Sequence, residues 1–124
     1  MSKNFTPNSR MISFRHAFNG LRVLLKEPNA CIHIVVSVMV IAAGIFFKIS
    51  TTEWIFLAFA IGLVISMEAV NTAIEKLCDF VQPQKNEHIK QVKDIAAFAV
   101  LFSAIAAIII GLIIFIPKIT ACIS

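Results

Sequence analysis

The chain has 124 residues, 59% of them hydrophobic and 15% charged, with a mean hydropathy of +0.89 and a formal net charge of +4. Soluble globular domains are less apolar and more charged, so a water-soluble enzyme is excluded, and the length predicts a single domain over residues 1–124. A nucleic-acid partner is not expected, because no basic patch carries interleaved exposed aromatics.

Met1–Ser9 reads as a flexible polar segment. A helical period follows, predicting a helix over residues 12–26. Phe14, Ala17, Phe18, Leu21, Leu24 and Leu25 fall on one side, and Arg15, Asn19, Arg22 and Lys26 on the other. A short, basic amphipathic helix of this kind lies on a membrane surface; the alternative is a helix packed onto the bundle as a cap. Glu27-Pro28-Asn29 predicts a turn, because proline lacks an N–H and restrains the residue before it.

Three apolar stretches then predict membrane spans at about residues 30–47, 54–77 and 95–116, each near the ~20 residues that cross a hydrocarbon core. The first begins too far into the chain, and without a small-residue cleavage site, to act as a signal peptide. Lys48–Glu53 forms a short turn, where Thr51 or Thr52 is expected to cap the second span and Trp54 to sit at the interface. The second span runs on to about Val81 and breaks at Gln82-Pro83. The polar segment Glu87–Asp94 leads into the third span, which Pro117 and Lys118 are expected to end. Nine of the eleven Lys and Arg residues precede the first span or lie between the second and third. The positive-inside bias therefore puts the N-terminus and that second loop in the cytoplasm. Cys31, Cys78 and Cys122 have no metal-binding or redox spacing and read as inert thiols. With four glycines in all, none in a Gly-rich run, the Walker A and Rossmann phosphate loops are missing.

The chemistry is expected on the second span. Glu68, Asn71, Glu75 and Asp79 are spaced 3, 4 and 4, which places them within about an 80° arc of a helix. A charge deep in a bilayer costs about 3 kcal/mol or more, so such residues usually serve function. Asp79 is shallowest, and Glu68 lies roughly 16 Å deeper. Glu27, Asn29, His33, Lys93 and Asp94 are expected at the same cytoplasmic level. This set suits phosphoryl transfer from a magnesium nucleotide to a lipid hydroxyl. Carboxylates such as Glu27 and Glu75 can anchor Mg2+, which keeps waters and phosphates as further ligands. Lys93 can neutralise phosphate charge, and the deep Glu68 suits a general base. Simpler roles exist for single members. His33 can be a satisfied interfacial histidine, Lys93 can snorkel, Asp94 can cap the third span, and Glu75 can pair with Lys76 or Lys90.

The motif Glu68-x-x-Asn71-Thr72-Ala73-Ile74-Glu75-x-x-x-Asp79, followed by Lys93-Asp94-x-Ala96-Ala97, resembles the prokaryotic diacylglycerol kinase family over about Phe14–Lys118. Glu27-x-Asn29-x-x-x-His33, Glu53-Trp54 and Gly111–Lys118 are similar to its undecaprenol kinase branch, although Cys31 stands where that branch often has a larger residue. The resemblance implies an all-α membrane protein with a surface helix and three transmembrane helices, assembled as a homotrimer in the bacterial cytoplasmic membrane. It implies ATP as co-substrate, Mg2+ as cofactor and a membrane lipid as acceptor. It assigns Glu68 as general base, Asn71 as an orienting residue, Glu27 and Glu75 as metal ligands with the nucleotide, and Asp79, Lys93 and Asp94 as contacts to ATP. Asn29 and His33 join the substrate-orienting set. Undecaprenol is the expected acceptor and diacylglycerol the alternative. A small ion or proton transporter is the competing class, but it leaves Lys93-Asp94 and Glu27-x-Asn29 without a purpose.

Overall fold

A computed structural model describes residues 6–124, which form four helices: α1 (Pro7–Leu24), α2 (Pro28–Phe46), α3 (Thr51–Val81) and α4 (Glu87–Ile123). The expected position of Lys3, and of the polar tail as far as residue 5, lies outside the described residues. The rest of that tail is ordered. The Thr6 hydroxyl accepts a hydrogen bond from the Ser9 N–H, the Ser9 hydroxyl accepts one from the Thr6 N–H, and Pro7 occupies the first helical position. The first helix therefore starts five residues earlier than its apolar periodicity suggests, because a capping box and a proline nucleate it from polar residues.

Helix α1 does not pack as a cap on the bundle. Leu24 is its one buried residue, while Phe14 and Phe18 stay about two-thirds exposed. An amphipathic face left open beside apolar helices suits the membrane surface. The elbow after it is tied by backbone bonds from Lys26 to Val23 and from Glu27 to Leu24, and by the Cys31 thiol donating to the Leu25 carbonyl.

Three of the helices are long and apolar enough to cross a membrane. Helices α3 and α4 have 31 and 37 residues, or about 46 and 56 Å, so both overrun a ~30 Å hydrocarbon core. Two expectations about α4 fail here. Asp94 does not cap it; Asn86 does, accepting from the His88 and Ile89 N–H groups. Pro117 does not end it, and the helix continues to Ile123. Proline removes one backbone donor, and the Thr120 hydroxyl donates to the Pro117 carbonyl in the turn that follows.

The α2–α3 turn is built more tightly than its sequence suggests. The cap of α3 is Ser50, not Thr51 or Thr52: its hydroxyl accepts from the Glu53 N–H, and Glu53 accepts from the Ser50 N–H. Lys48 takes the left-handed conformation (φ 52°), and α2 closes with bonds from Ile49 N–H to the Gly44 carbonyl and from Lys48 N–H to the Ile45 carbonyl. This is a Schellman closure with lysine where glycine is usual. Gly44 is required by close approach, since a Cβ there would lie 2.7 Å from the Trp54 ring. Ile49, Leu57 and Ile114 form a small dry core beside this turn, with Trp54, Phe47 and Phe115 packed against it. Lys118 of α4 pairs with Glu53 at 3.1 Å and closes the same end. Helix α3 packs more extensively on α4 than on α2.

Candidate functional site

The other end of the bundle is polar. Helix α3 carries its acidic face there as expected, but its neighbour changes with depth, so the face is divided among partners. Glu68 is deepest, only 4% exposed. Its carboxylate lies 3.6 Å from His33 Nε2 on α2, close enough for charge interaction but longer than a direct hydrogen bond. The Ser37 hydroxyl donates to the His33 carbonyl one turn further along α2.

Asn71 and Thr72 are also buried. The Asn71 Oδ1 has no hydrogen-bond partner among the described residues, and leaving such an acceptor unmade costs about 1–3 kcal/mol. Asn71 borders a cleft between α3 and α4 beside Met67, Val92 and Ala96. Glu75 is exposed. The expected pairing of Glu75 with Lys76 or Lys90 is not made: Lys76 reaches Glu27 at 3.6 Å and Lys90 reaches Asp94 at 2.7 Å. Asp79 turns to α4 and accepts a 2.5 Å hydrogen bond from Lys93. Lys93 is thus held by a carboxylate instead of only extending toward water.

Two spaces adjoin these residues. A groove of about 330 Å³ runs between α2, α3 and α4, from Ile32 and His33 past Val36 and Val64 to Phe115. Its walls are almost entirely aliphatic, so it suits a hydrocarbon chain, and His33 marks its polar end. A second space of about 610 Å³ lies between the end of α3, the 82–86 loop and the first turns of α4. Asp79, Asn86, Lys90, Lys93 and Asp94 line it, a mixed charged wall suited to a polar phosphorylated ligand. Asn29 lies exposed in the first turn of α2, beside Glu27 at the elbow.

Among the described residues, no three His, Cys, Asp or Glu side chains gather closely enough to cage a metal ion. An ion such as Mg2+ needs no such cluster, since it takes one or two carboxylates and completes its shell with water and phosphate oxygens. The residue that the sequence did not single out is Lys76. Its apparent partner in the helix was Glu75, and only the fold of the elbow brings Glu27 to it. The one sequence signal was a basic residue on the C-terminal half of α3, next to the acidic motif.

A family model described as prokaryotic diacylglycerol kinase matches residues 15–115. An undecaprenol kinase of Bacillus subtilis is 36% identical over 107 residues, which cover 86% of this chain and 87% of that protein. A diacylglycerol kinase of Synechocystis sp. is 37% identical over 103 residues, covering 82% of this chain and 59% of that protein.

Proposed function

The chain belongs to the prokaryotic diacylglycerol kinase family, and from that premise we propose that it is a membrane lipid kinase transferring the γ-phosphate of ATP to undecaprenol. The observation that carries the reading is Glu68: a carboxylate buried on a membrane helix, facing His33 at the polar end of an aliphatic groove. A lipid lying in that groove would bring a terminal hydroxyl to the one buried base beside it.

In this reading the hydroxyl oxygen attacks the γ-phosphorus, its proton passes to Glu68, and ADP leaves. His33 and the unsatisfied Asn71 hold Glu68 and the headgroup in place, with Asn29 at the membrane surface. Asp79, Lys93 and Asp94 line the nucleotide space, where the lysine ammonium offsets phosphate charge. Glu27 and Glu75 would hold Mg2+, which when bound neutralises the phosphates and orients them. A homotrimer would cover the apolar helix faces and the cleft at Asn71, since buried polar groups in a membrane need partners. The positive-inside bias supports a cytoplasmic-membrane protein with its N-terminus and 82–86 loop in the cytoplasm.

Undecaprenol is favoured because the match to the undecaprenol kinase runs through 87% of that protein, against 59% for the diacylglycerol kinase. The second reading, diacylglycerol, uses the same residues. Phosphate transfer from labelled MgATP in mixed micelles, with each lipid supplied separately, distinguishes them. Faster labelling of undecaprenol is expected. Faster labelling of diacylglycerol overturns the acceptor assignment, and labelling of neither by folded protein overturns the kinase reading.

A further inference from the structure

The chain has seven acidic residues, and most have a resident cation. Lys76 holds Glu27, Lys118 holds Glu53, Lys93 holds Asp79 and Lys90 holds Asp94, while Glu68 faces the imidazole of His33. Among the described residues, Glu75 and Glu87 make no direct ion pair, and Glu75 acts only through space on the Lys93 ammonium. Glu75 and Glu27 are the two carboxylates assigned above to a divalent cation, so one of that pair has no direct ion pair while the other is already paired with a protein ammonium.

The occupation of Glu27 is not a by-product of helix capping. Glu27 stands at the N-cap of α2, where an acidic side chain would favour the free N–H groups of the first turn, yet its side chain makes no capping bond. The carboxylate is instead paired across the elbow with Lys76, which adjoins Glu75 on α3. Two like charges cannot share a carboxylate without repulsion. A divalent cation arriving at Glu27 therefore competes with the ammonium for that carboxylate.

We propose that Lys76 is a positioning residue that occupies the Glu27 carboxylate in the nucleotide-free protein and competes there with the divalent cation. The inference rests on the reading in which Glu27 and Glu75 are the metal-binding pair. It gives the site a cation-exchange step: Lys76 keeps Glu27 neutralised and the α1–α2 elbow against α3 until the metal arrives. Both partners are substantially exposed, at 55% and 36% for the side chains. Removing the competing ammonium should therefore tighten metal binding about two- to fivefold, the range for exposed ion pairs.

The test is Mn2+ binding to the purified full-length protein in micelles without nucleotide, followed by the electron paramagnetic resonance of free Mn2+. Lys76→Met should bind Mn2+ about two- to fivefold more tightly than the wild type. Lys76→Arg, which keeps the pair, should match the wild type. Arg22→Gln, which removes one charge from α1 and leaves the pair intact, should also match it. Equal affinities for Lys76→Met and wild type, with binding still lost in Glu75→Gln, overturn the competition and leave the metal-site reading standing. Equal tightening in Arg22→Gln overturns it too, by showing a general charge effect. Absence of any Mn2+ binding that depends on Glu75 overturns the metal-site reading and the inference together. Thermal unfolding of each variant separates a loss of binding from a loss of fold.

Discussion

The two ends of the bundle are built from opposite materials. At the α2–α3 turn, Gly44 admits the Trp54 ring, Ile49, Leu57 and Ile114 pack dry, and Ser50 and Glu53 cap α3 reciprocally. At the other end, Glu68 and Asn71 are buried in polar form, one acceptor goes unmet, His33 faces Glu68, and three ion pairs cross between or along helices. Apolar burial and caps hold structure, whereas unmet polar groups cost stability and persist where chemistry needs them. The fold is therefore anchored at one end so that the other can carry charge.

That division can be broken from either side. The largest effect is expected at the polar end. Glu68→Gln keeps the shape of the side chain and removes the base, so turnover should fall about 10²–10⁴-fold, with little change in ATP binding or thermal stability. Near-wild-type turnover in the micelle assay would remove Glu68 from the base role. Next comes Gly44→Val at the packed end. It drives a branched side chain into the Trp54 ring and should destabilise by about 1–3 kcal/mol, read from thermal or denaturant unfolding in detergent. The protein that remains folded should keep its turnover per molecule; a large loss there would mean that the two ends are coupled. The smallest effect is a gain. Lys48→Gly relieves a left-handed residue and should stabilise by about 1 kcal/mol. An unchanged unfolding midpoint would show that the Lys48 conformation carries no strain.

Much of the layout was legible before the fold. Three helices long and apolar enough to cross a membrane cover the three stretches that hydropathy picks out, because length and apolarity alone decide whether a helix can cross a bilayer. The periodicity of Glu68, Asn71, Glu75 and Asp79 already puts them on one face of α3. The helix ends were less legible. Asp94 and Thr51 look like caps, yet Asn86 and Ser50 hold those positions, because several polar residues near a helix start compete and local backbone geometry chooses one. Pro117 reads as a stop, but the loss of one donor does not end a helix whose remaining bonds continue. The partners were least legible: Glu75 has Lys76 beside it in the sequence, yet the lysine goes to Glu27.

From the sequence alone follow the class of molecule, the number and approximate extent of its spans, and which residue types carry chemistry, all of which depend on local composition and spacing. The tertiary structure alone decided which carboxylate meets which basic side chain: His33 with Glu68, Lys76 with Glu27 and Lys93 with Asp79. Such pairings join residues far apart in the chain, and their distances depend on how the α1–α2 elbow and the helix crossings bring three helices together, which no one-dimensional spacing encodes.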